Sequence, residues 1–285
     1  MRTPLRASVV RYAFVILACV VVIYPLLWMI TMAFKPFPEW TTGSGMTWFP
    51  KNPTLQNFEF VIFGREEGLV FIMERSILGP LAASLITSIC GTALAVVTGT
   101  LSSYAVVRFD IASSLPLSVL QLRLFPPLAV MIPVMVMWAF IGAIDTWWGL
   151  SLIYGIVTLP FAFWLMKTFF DEVPIEIEDA ARVAGCSYWR IFYRVTLPIV
   201  KPGLATCALF VFILNWSDYL LALLLTQKNW VTLPIYMSTL TSPMGGQMYG
   251  MKAALGLIAA IPPVVFGLLI QKHLVRGLTF GALKQ

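Results

Sequence analysis

The chain has 285 residues, 59% of them apolar and 11% charged, with 19 Lys and Arg against 13 Asp and Glu for a net charge of +6, and its mean hydropathy is +0.87. A soluble domain carries about 25% charged residues, so this chain cannot coat a water-facing surface, and ordinary globular domains are excluded. No basic run or aromatic-basic interleaving accompanies the positive balance, which argues against a nucleic-acid binder and suits the cytoplasmic face of a membrane.

A membrane-crossing helix needs about 20 mostly apolar residues, and the stretches between charges supply six candidates. The first, 12–34, follows Arg2, Arg6 and Arg11. It is longer than a signal-peptide core and is followed by no small-x-small cleavage site, so it reads as an uncleaved span. An external loop, 35–75, has mixed charge and carries Trp40, Trp48, Phe58 and Phe60. The second span, 77–107, aligns Ser84, Ser88, Gly91, Ala95, Gly99 and Ser103 on one helical face. Such a face suits close packing within the bundle, a subunit seam or a pathway wall. Spans 124–144 and 146–166 meet at Asp145, and the first of them contains Pro126, Pro127 and Pro133, which should kink it. The internal segment 167–201 carries five basic and five acidic residues. The fifth span, 202–227, is interrupted only by Asp218; the sixth, 253–271, contains Pro262 and Pro263. The charge-free window 229–251 is too rich in Pro, Gly, Ser and Thr to satisfy its backbone in lipid and reads as a loop.

With both termini inside, 13 of the 19 Lys and Arg face the cytoplasm and six lie outside, as the positive-inside bias requires. The expected fold class is all-α, a polytopic membrane protein of six transmembrane helices forming one domain over 1–285. Cys19, Cys90 and Cys207 lie within spans and Cys186 in the internal loop, so neither a disulfide nor a metal site is expected. The lone His273, at the inner end of the last span, suits a structural or interfacial role.

The internal segment reads as helix–turn–helix. Pro174 suits a first helical position, and Glu176, Glu178 and Asp179 crowd the first turns, where the helix dipole favours negative charge. Ile177, Ala180, Ala181 and Ala184 form one small apolar face. Gly185 suits a left-handed stop. Ser187 is placed to cap a second helix, with Tyr188, Ile191 or Phe192, and Val195 on one face, and Leu197-Pro198 ends it. The product is a hairpin outside the bilayer whose small face either meets another protein or folds against this chain's own helix ends.

Asp179-Ala180-Ala181, three residues, Gly185, nine residues, Val195, one residue, Leu197-Pro198 closely resembles the EAA loop of ATP-binding cassette importer permeases. Asp179 replaces Glu, Val195 replaces Ile, and Ala184 stands where sugar permeases often carry Asp. Tyr104-Ala105-Val106-Val107-Arg108-Phe109, Leu124-Phe125-Pro126 with Ile132-Pro133, Trp216-Ser217-Asp218-Tyr219-Leu220 and Gly277 to Lys284 are similar to further motifs of that family, in its order. The chain thus resembles the smaller, six-span permease subunit of the maltose-type carbohydrate importers.

The resemblance implies a transport subunit rather than an enzyme. It also implies a bacterial or archaeal cytoplasmic membrane, two cytoplasmic ATPase subunits, a second homologous permease, an external solute-binding protein and a sugar, mono- or oligosaccharide. A polyol or sn-glycerol-3-phosphate importer is the alternative within the family. No G-x-x-x-x-G-K-[ST] is present, so ATP and Mg belong to the partner ATPase and no cofactor to this chain. Glu178, Asp179, Ala180, Ala181, Gly185, Leu197 and Pro198 would couple to the ATPase, with Glu178 and Asp179 touching it, and Gly281 to Gln285 forming a second contact. Trp216, Asp218 and Tyr219 are candidates for the substrate pathway, the aromatics by stacking on a sugar ring. Asp218 is the only acid well inside a span, a functional position by default, though a hydrogen bond to a neighbouring helix would also account for it. An ion-coupled secondary transporter would need more intramembrane acids and an internal repeat; an intramembrane enzyme would need a nucleophile–base pair or metal cluster.

Overall fold

The computed structural model describes residues 5–36, 38–39, 47–64, 76–109, 127–242 and 246–280, together with 111, 114, 116, 118–119 and 121. In chain order the described helices are α1 (Leu5–Ala33), α2 (Gln56–Phe63), α3 (Leu78–Phe109), α4 (Pro127–Phe140), α5 (Trp147–Asp171), α6 (Ile175–Val183) and the single turn α7 (Tyr188–Ile191). A π-helical turn over Phe192–Thr196 leads into α8 (Leu197–Ile199), and α9 (Lys201–Trp216), α10 (Leu220–Leu225), α11 (Leu233–Thr239) and α12 (Tyr249–Phe280) follow. The fold is all-helical apart from a two-residue antiparallel ladder, β1 (Thr241–Ser242) with β2 (Gly246–Gln247), in register Thr241 to Gln247.

Among the described residues four helices are long and apolar enough to cross a membrane: Arg11–Ala33, Leu78–Phe109, Trp147–Asp171 and Tyr249–Lys272. A fifth crossing arises only if Tyr188–Ile199 and Lys201–Trp216, bent by 75°, are taken as one, and Val130–Phe140 is a shorter apolar helix. Two expected boundaries therefore shift. The third span ends at Phe140, where a turn carrying Gly142 and Asp145 at φ +67° and +56° takes over; its start, with Leu124, Phe125 and Pro126, lies outside the described residues. The fifth span is broken: α9 stops at Trp216 and α10 begins at Leu220. The window 229–251 is a folded loop, with Leu233, Tyr236, Leu240 and Met248 buried.

The chain divides into two compact units. The first comprises Met1–Leu78 and Tyr236–Ile261. Here Asn57 is buried and donates from Nδ2 to the carbonyls of Ala33 and Lys35, both at 2.8 Å, which satisfies the open C-terminal end of α1. Lys35 lies over the Trp28 ring at 4.6 Å and donates to the Thr47 carbonyl. Trp48 meets Tyr24 and Trp28 edge-on, at 4.9 and 5.2 Å. The loop that follows α1 is therefore anchored at its start by a buried cation and an aromatic cluster.

The second unit comprises Gly79–Ile235 and Pro262–Gln285. Its small-residue stripe on α3 packs inside the chain. A Cβ on Gly91 would sit 2.7 Å from that of Tyr154, and one on Gly99 would sit 2.8 Å from that of Ala162, so α3 and α5 approach at a distance only glycine permits. The Ser84 hydroxyl accepts the backbone N–H of Leu233 at 2.7 Å. Gly203 likewise seats α9 on the Phe169 ring. One core cluster of this unit gathers Tyr104, Met166, Phe170, Phe192 and Cys207; another gathers Trp138, Leu150, Tyr154, Leu221 and Leu225.

Candidate functional site

The hairpin begins where α5 ends. Ile175–Val183 forms α6 with Glu176 and Glu178 in its first turn; Pro174 stands one residue earlier than expected, at the cap position with ψ 130° instead of the first helical position. Gly185 then takes φ +81°. Its N–H donates to the Arg182 carbonyl at 3.0 Å, and the Cys186 N–H reaches back to that of Ala181 at 3.1 Å. This pair of bonds is the Schellman stop, which favours glycine at the left-handed position. A Cβ at Gly185 would meet nothing within 4 Å.

The second arm differs from expectation. Ser187 occupies the cap position, but its side chain makes no capping bond; its carbonyl accepts the Ile191 N–H at 2.9 Å. Pro198 does not end the arm, because the helix runs to Ile199 and turns sharply at Val200. Pro198 has no N–H and crowds the carbonyl four residues back. The preceding turn widens accordingly, and the Leu197 N–H bonds the Phe192 carbonyl five residues away.

Glu178 faces inward, with its side chain only 3% exposed. Its Oε1 accepts from Arg108 Nε at 2.8 Å and from Thr196 Oγ1 at 2.8 Å, and its Oε2 accepts from Tyr104 Oη at 3.0 Å. Arg108 Nη2 also donates to the Val173 carbonyl at 2.9 Å. The Tyr104 ring packs on Phe192 at 4.7 Å and Phe170 at 5.3 Å, and Phe109 meets Tyr188 at 5.3 Å. One carboxylate thus joins the end of α3, the first arm and the second arm. Tyr104 and Arg108 stand in the sequence as a motif at the end of an apolar run; nothing local in it pairs them with an acid 70 residues on.

The other hairpin residues are open. Asp179 pairs with Arg182 at 3.0 Å on the exposed side, and Arg182 lies over the Tyr188 ring at 5.4 Å. Ala180 and Ala184 are exposed, Ala181 and Leu197 are half-buried, and Pro198 is exposed. Val183 is 91% exposed and Trp189, stacked on Tyr193 at 5.9 Å, 65%.

The pathway candidates separate. Trp216 is buried and stacks on Phe212 at 5.7 Å. Asp218 Oδ1 accepts the N–H groups of Leu221 and Ala222, at 3.0 and 3.3 Å, and so caps α10. That bonding accounts for the break in the fifth span: a short carboxylate satisfies a new helix start better than a continuing helix does. Asn215, one turn before, is buried and donates to Thr92 at 3.2 Å. Tyr219 is exposed. His273 lies within α12, and Gly281 to Gln285 fall outside the described residues.

Asp145, which in the sequence only separates two apolar runs, forms a second polar site. Its carboxylate accepts the backbone N–H groups of Gln227, Lys228, Asn229 and Trp230, at 2.9 to 3.2 Å, and Asn229 Nδ2 at 2.9 Å. Burial alone would raise its pKa, but the four backbone donors outweigh that and hold it below the ordinary carboxylate value.

The profile of the family described as "Binding-protein-dependent transport system inner membrane component" matches residues 88–280, a stretch containing every hairpin and pathway residue above. The chain belongs to this family. Over 264 residues it is 33% identical to the trehalose transport system permease protein of Mycobacterium tuberculosis (strain CDC 1551 / Oshkosh), covering 91% of this chain and 92% of that protein. It is 32% identical over 283 residues to the maltodextrin transport system permease protein of Bacillus subtilis (strain 168), covering 97% and 96%. Among solved structures, a chain of a bacterial ABC transporter involved in import of the acidic polysaccharide alginate superposes with a TM-score of 0.76 at 18% identity, over 96% of this chain and 98% of that one. That likeness is one of fold. The chain is a multi-pass membrane transport component.

Proposed function

We propose that this chain is the transmembrane permease subunit of an ATP-binding cassette importer. It passes a mono- or oligosaccharide, delivered by an external solute-binding protein, with ATP hydrolysed on partner subunits. The observation that carries the reading is the hairpin's uncovered apolar residues. The first arm turns one of its three acids, Glu178, into the chain and leaves Ile177, Ala180, Val183 and Ala184 uncovered beside the exposed Glu176, Asp179 and Arg182. Small and apolar residues left open together on a helix outside the bilayer suit contact with a second protein. In this reading the hairpin and both termini are cytoplasmic. Asp179, Ala180, Ala181 and Gly185 meet the ATPase, Leu197 and Pro198 shape the second arm, and Glu178 acts through Arg108 rather than by contact. ATP and Mg stay on the ATPase, and a second homologous permease completes the pathway. Relatives named for trehalose and maltodextrin support a carbohydrate substrate.

The test is purification of the tagged chain from native membranes in mild detergent, with mass spectrometry of its companions. Stoichiometric recovery of an ATPase and a second permease is expected. Recovery of the chain alone, or as a homodimer, across several detergents would overturn the reading.

A further inference from the structure

The hairpin hangs from α5 by a short linker, Glu172 to Pro174, which by itself would act as a hinge. Force on the exposed face would then be absorbed there. The structure opposes this at one place. Glu178 gathers three donors from two other segments: Tyr104 and Arg108 on α3, and Thr196 in the π-helical turn of the second arm. Arg108 in turn holds the carbonyl of Val173, inside the linker itself. All four side chains are buried. The other two ion pairs of this region, Lys167–Asp171 and Arg182–Asp179, join residues within one helix and lie at the surface, so they tie nothing to a neighbour. The aromatic contacts around Tyr104 enclose the carboxylate in apolar surroundings, where charge-assisted bonds are strongest.

We propose that Arg108 and Glu178 form the joint that makes the hairpin and the adjoining end of α3 one rigid body, so that displacement of the hairpin is delivered to α3 instead of being lost at the linker. Arg108, Glu178 and Tyr104 are positioning residues in this scheme. None meets the sugar or the nucleotide, and their effect falls on how much transport each ATP yields. The proposal rests on the importer reading above. It deepens that reading by naming the connection between the docking face and the first helix that moves.

The experiment uses the whole assembly in liposomes, with its solute-binding protein and sugar, and measures sugar delivered per ATP hydrolysed for the wild type, Glu178→Gln and Tyr104→Phe. In parallel, spin labels at Leu101→Cys on α3 and Arg190→Cys on the second arm of the hairpin, with Cys19, Cys90 and Cys186 changed to Ser and the buried Cys207 retained, report the distance between the two elements with and without ATP. For the wild type the label distance stays fixed in both states. Glu178→Gln lowers sugar per ATP roughly tenfold and broadens the distance distribution, within the range by which single residues modulate coupling between sites. Tyr104→Phe keeps the ring against Phe170 and Phe192 and removes one bond, so it assembles even if Glu178→Gln does not; it lowers the ratio about two- to threefold, as loss of one partial link in such a network does. An unchanged ratio in either assembled variant, or a wild-type label distance that moves with ATP, overturns the joint alone. Failure of any ATPase to purify with the wild type overturns the importer reading and the joint with it.

Discussion

The Asp145 clasp yields a prediction whose size follows from the geometry. Its carboxylate faces four consecutive backbone N–H groups, 227–230, that follow the end of α10 and have no helix to serve. Its own N–H donates to the Leu225 carbonyl at 2.8 Å, so residue and loop hold each other. The backbone sits at φ +56°, a region that Asp and Asn tolerate and a β-branched residue does not. Asp145→Asn keeps that tolerance and one acceptor oxygen but turns an NH₂ group toward the remaining donors. Hydrogen bonds to a charged acceptor contribute about 1.5–3 kcal/mol each when dry. This site is reached by water and its bonds share one carboxylate, so the Asn variant loses about 1–2 kcal/mol in all. Asp145→Gly removes every side-chain bond while relieving the backbone, and loses about 2–3 kcal/mol. Asp145→Ala adds to the Gly loss about 1 kcal/mol for the left-handed backbone.

Thermal unfolding in detergent reads these differences at about 2–4 °C per kcal/mol for a chain of this size. The expected order is wild type, Asn, Gly, Ala. The pH dependence has a definite sign. A carboxyl whose pKa is lowered by folding contributes its full stability above the unfolded value, about 3.9, and loses it as pH falls through the folded value. The gap between wild type and Asn is therefore constant from pH 7 to about 5 and closes below about 4. A melting point for the Asn variant equal to that of wild type, or a gap that widens on acidification, would refute the clasp.

Two further predictions concern the hairpin and the pathway. Gly185→Ala costs the hairpin about 1–2 kcal/mol for the positive φ, Gly185→Asp less because Asp tolerates that region, and neither costs anything for crowding, since the surrounding space is open; both are expected to insert and to melt no more than several degrees below wild type yet to lose the ATPase on purification, and full uptake by Gly185→Asp at normal expression would sink docking through this turn. Trp216→Ala opens a hole against Phe212 and lowers stability by about 3–5 kcal/mol, whereas Tyr219→Ala, at an exposed position, leaves the melting point in place and raises the KM for uptake; the reverse pattern would exchange the two residues' roles.

What could be read from the sequence was what neighbouring residues decide among themselves. Pro174, the acidic first turn and Gly185 set the ends of α6 through local backbone chemistry, and the structure follows them at Gly185 and to within one residue at Pro174, which caps the helix instead of opening it. The glycine and serine stripe of α3 is equally local in origin, and it resolved as packing because Tyr154 and Ala162 approach it from α5. The break in the fifth span was hidden because a charge count treats Asp218 as a cost within an apolar run. Its bonding to Leu221 and Ala222 turns that cost into a helix start. The orientation of α6 was out of reach altogether. Periodicity shows that one face is acidic and one is small and apolar, and the ordinary rule would bury the apolar one. The arginine that reverses the rule lies 70 residues earlier.

That reversal bears on why a hairpin with the docking role proposed above should carry a buried ion pair. Taking Arg108 and Glu178 out of water costs several kcal/mol per ion, and their attraction repays it only when the geometry is held and the remaining valences are filled. Here they are filled, by Tyr104, Thr196 and the Val173 carbonyl. A purely apolar contact of the same volume would bind the hairpin to α3 as firmly but would let it slide, since dispersion contacts have little directional preference. The ion pair has one satisfied arrangement, so it fixes the angle at which the outward face is presented. If the hairpin passes on a displacement, as proposed, a fixed angle matters more than added stability.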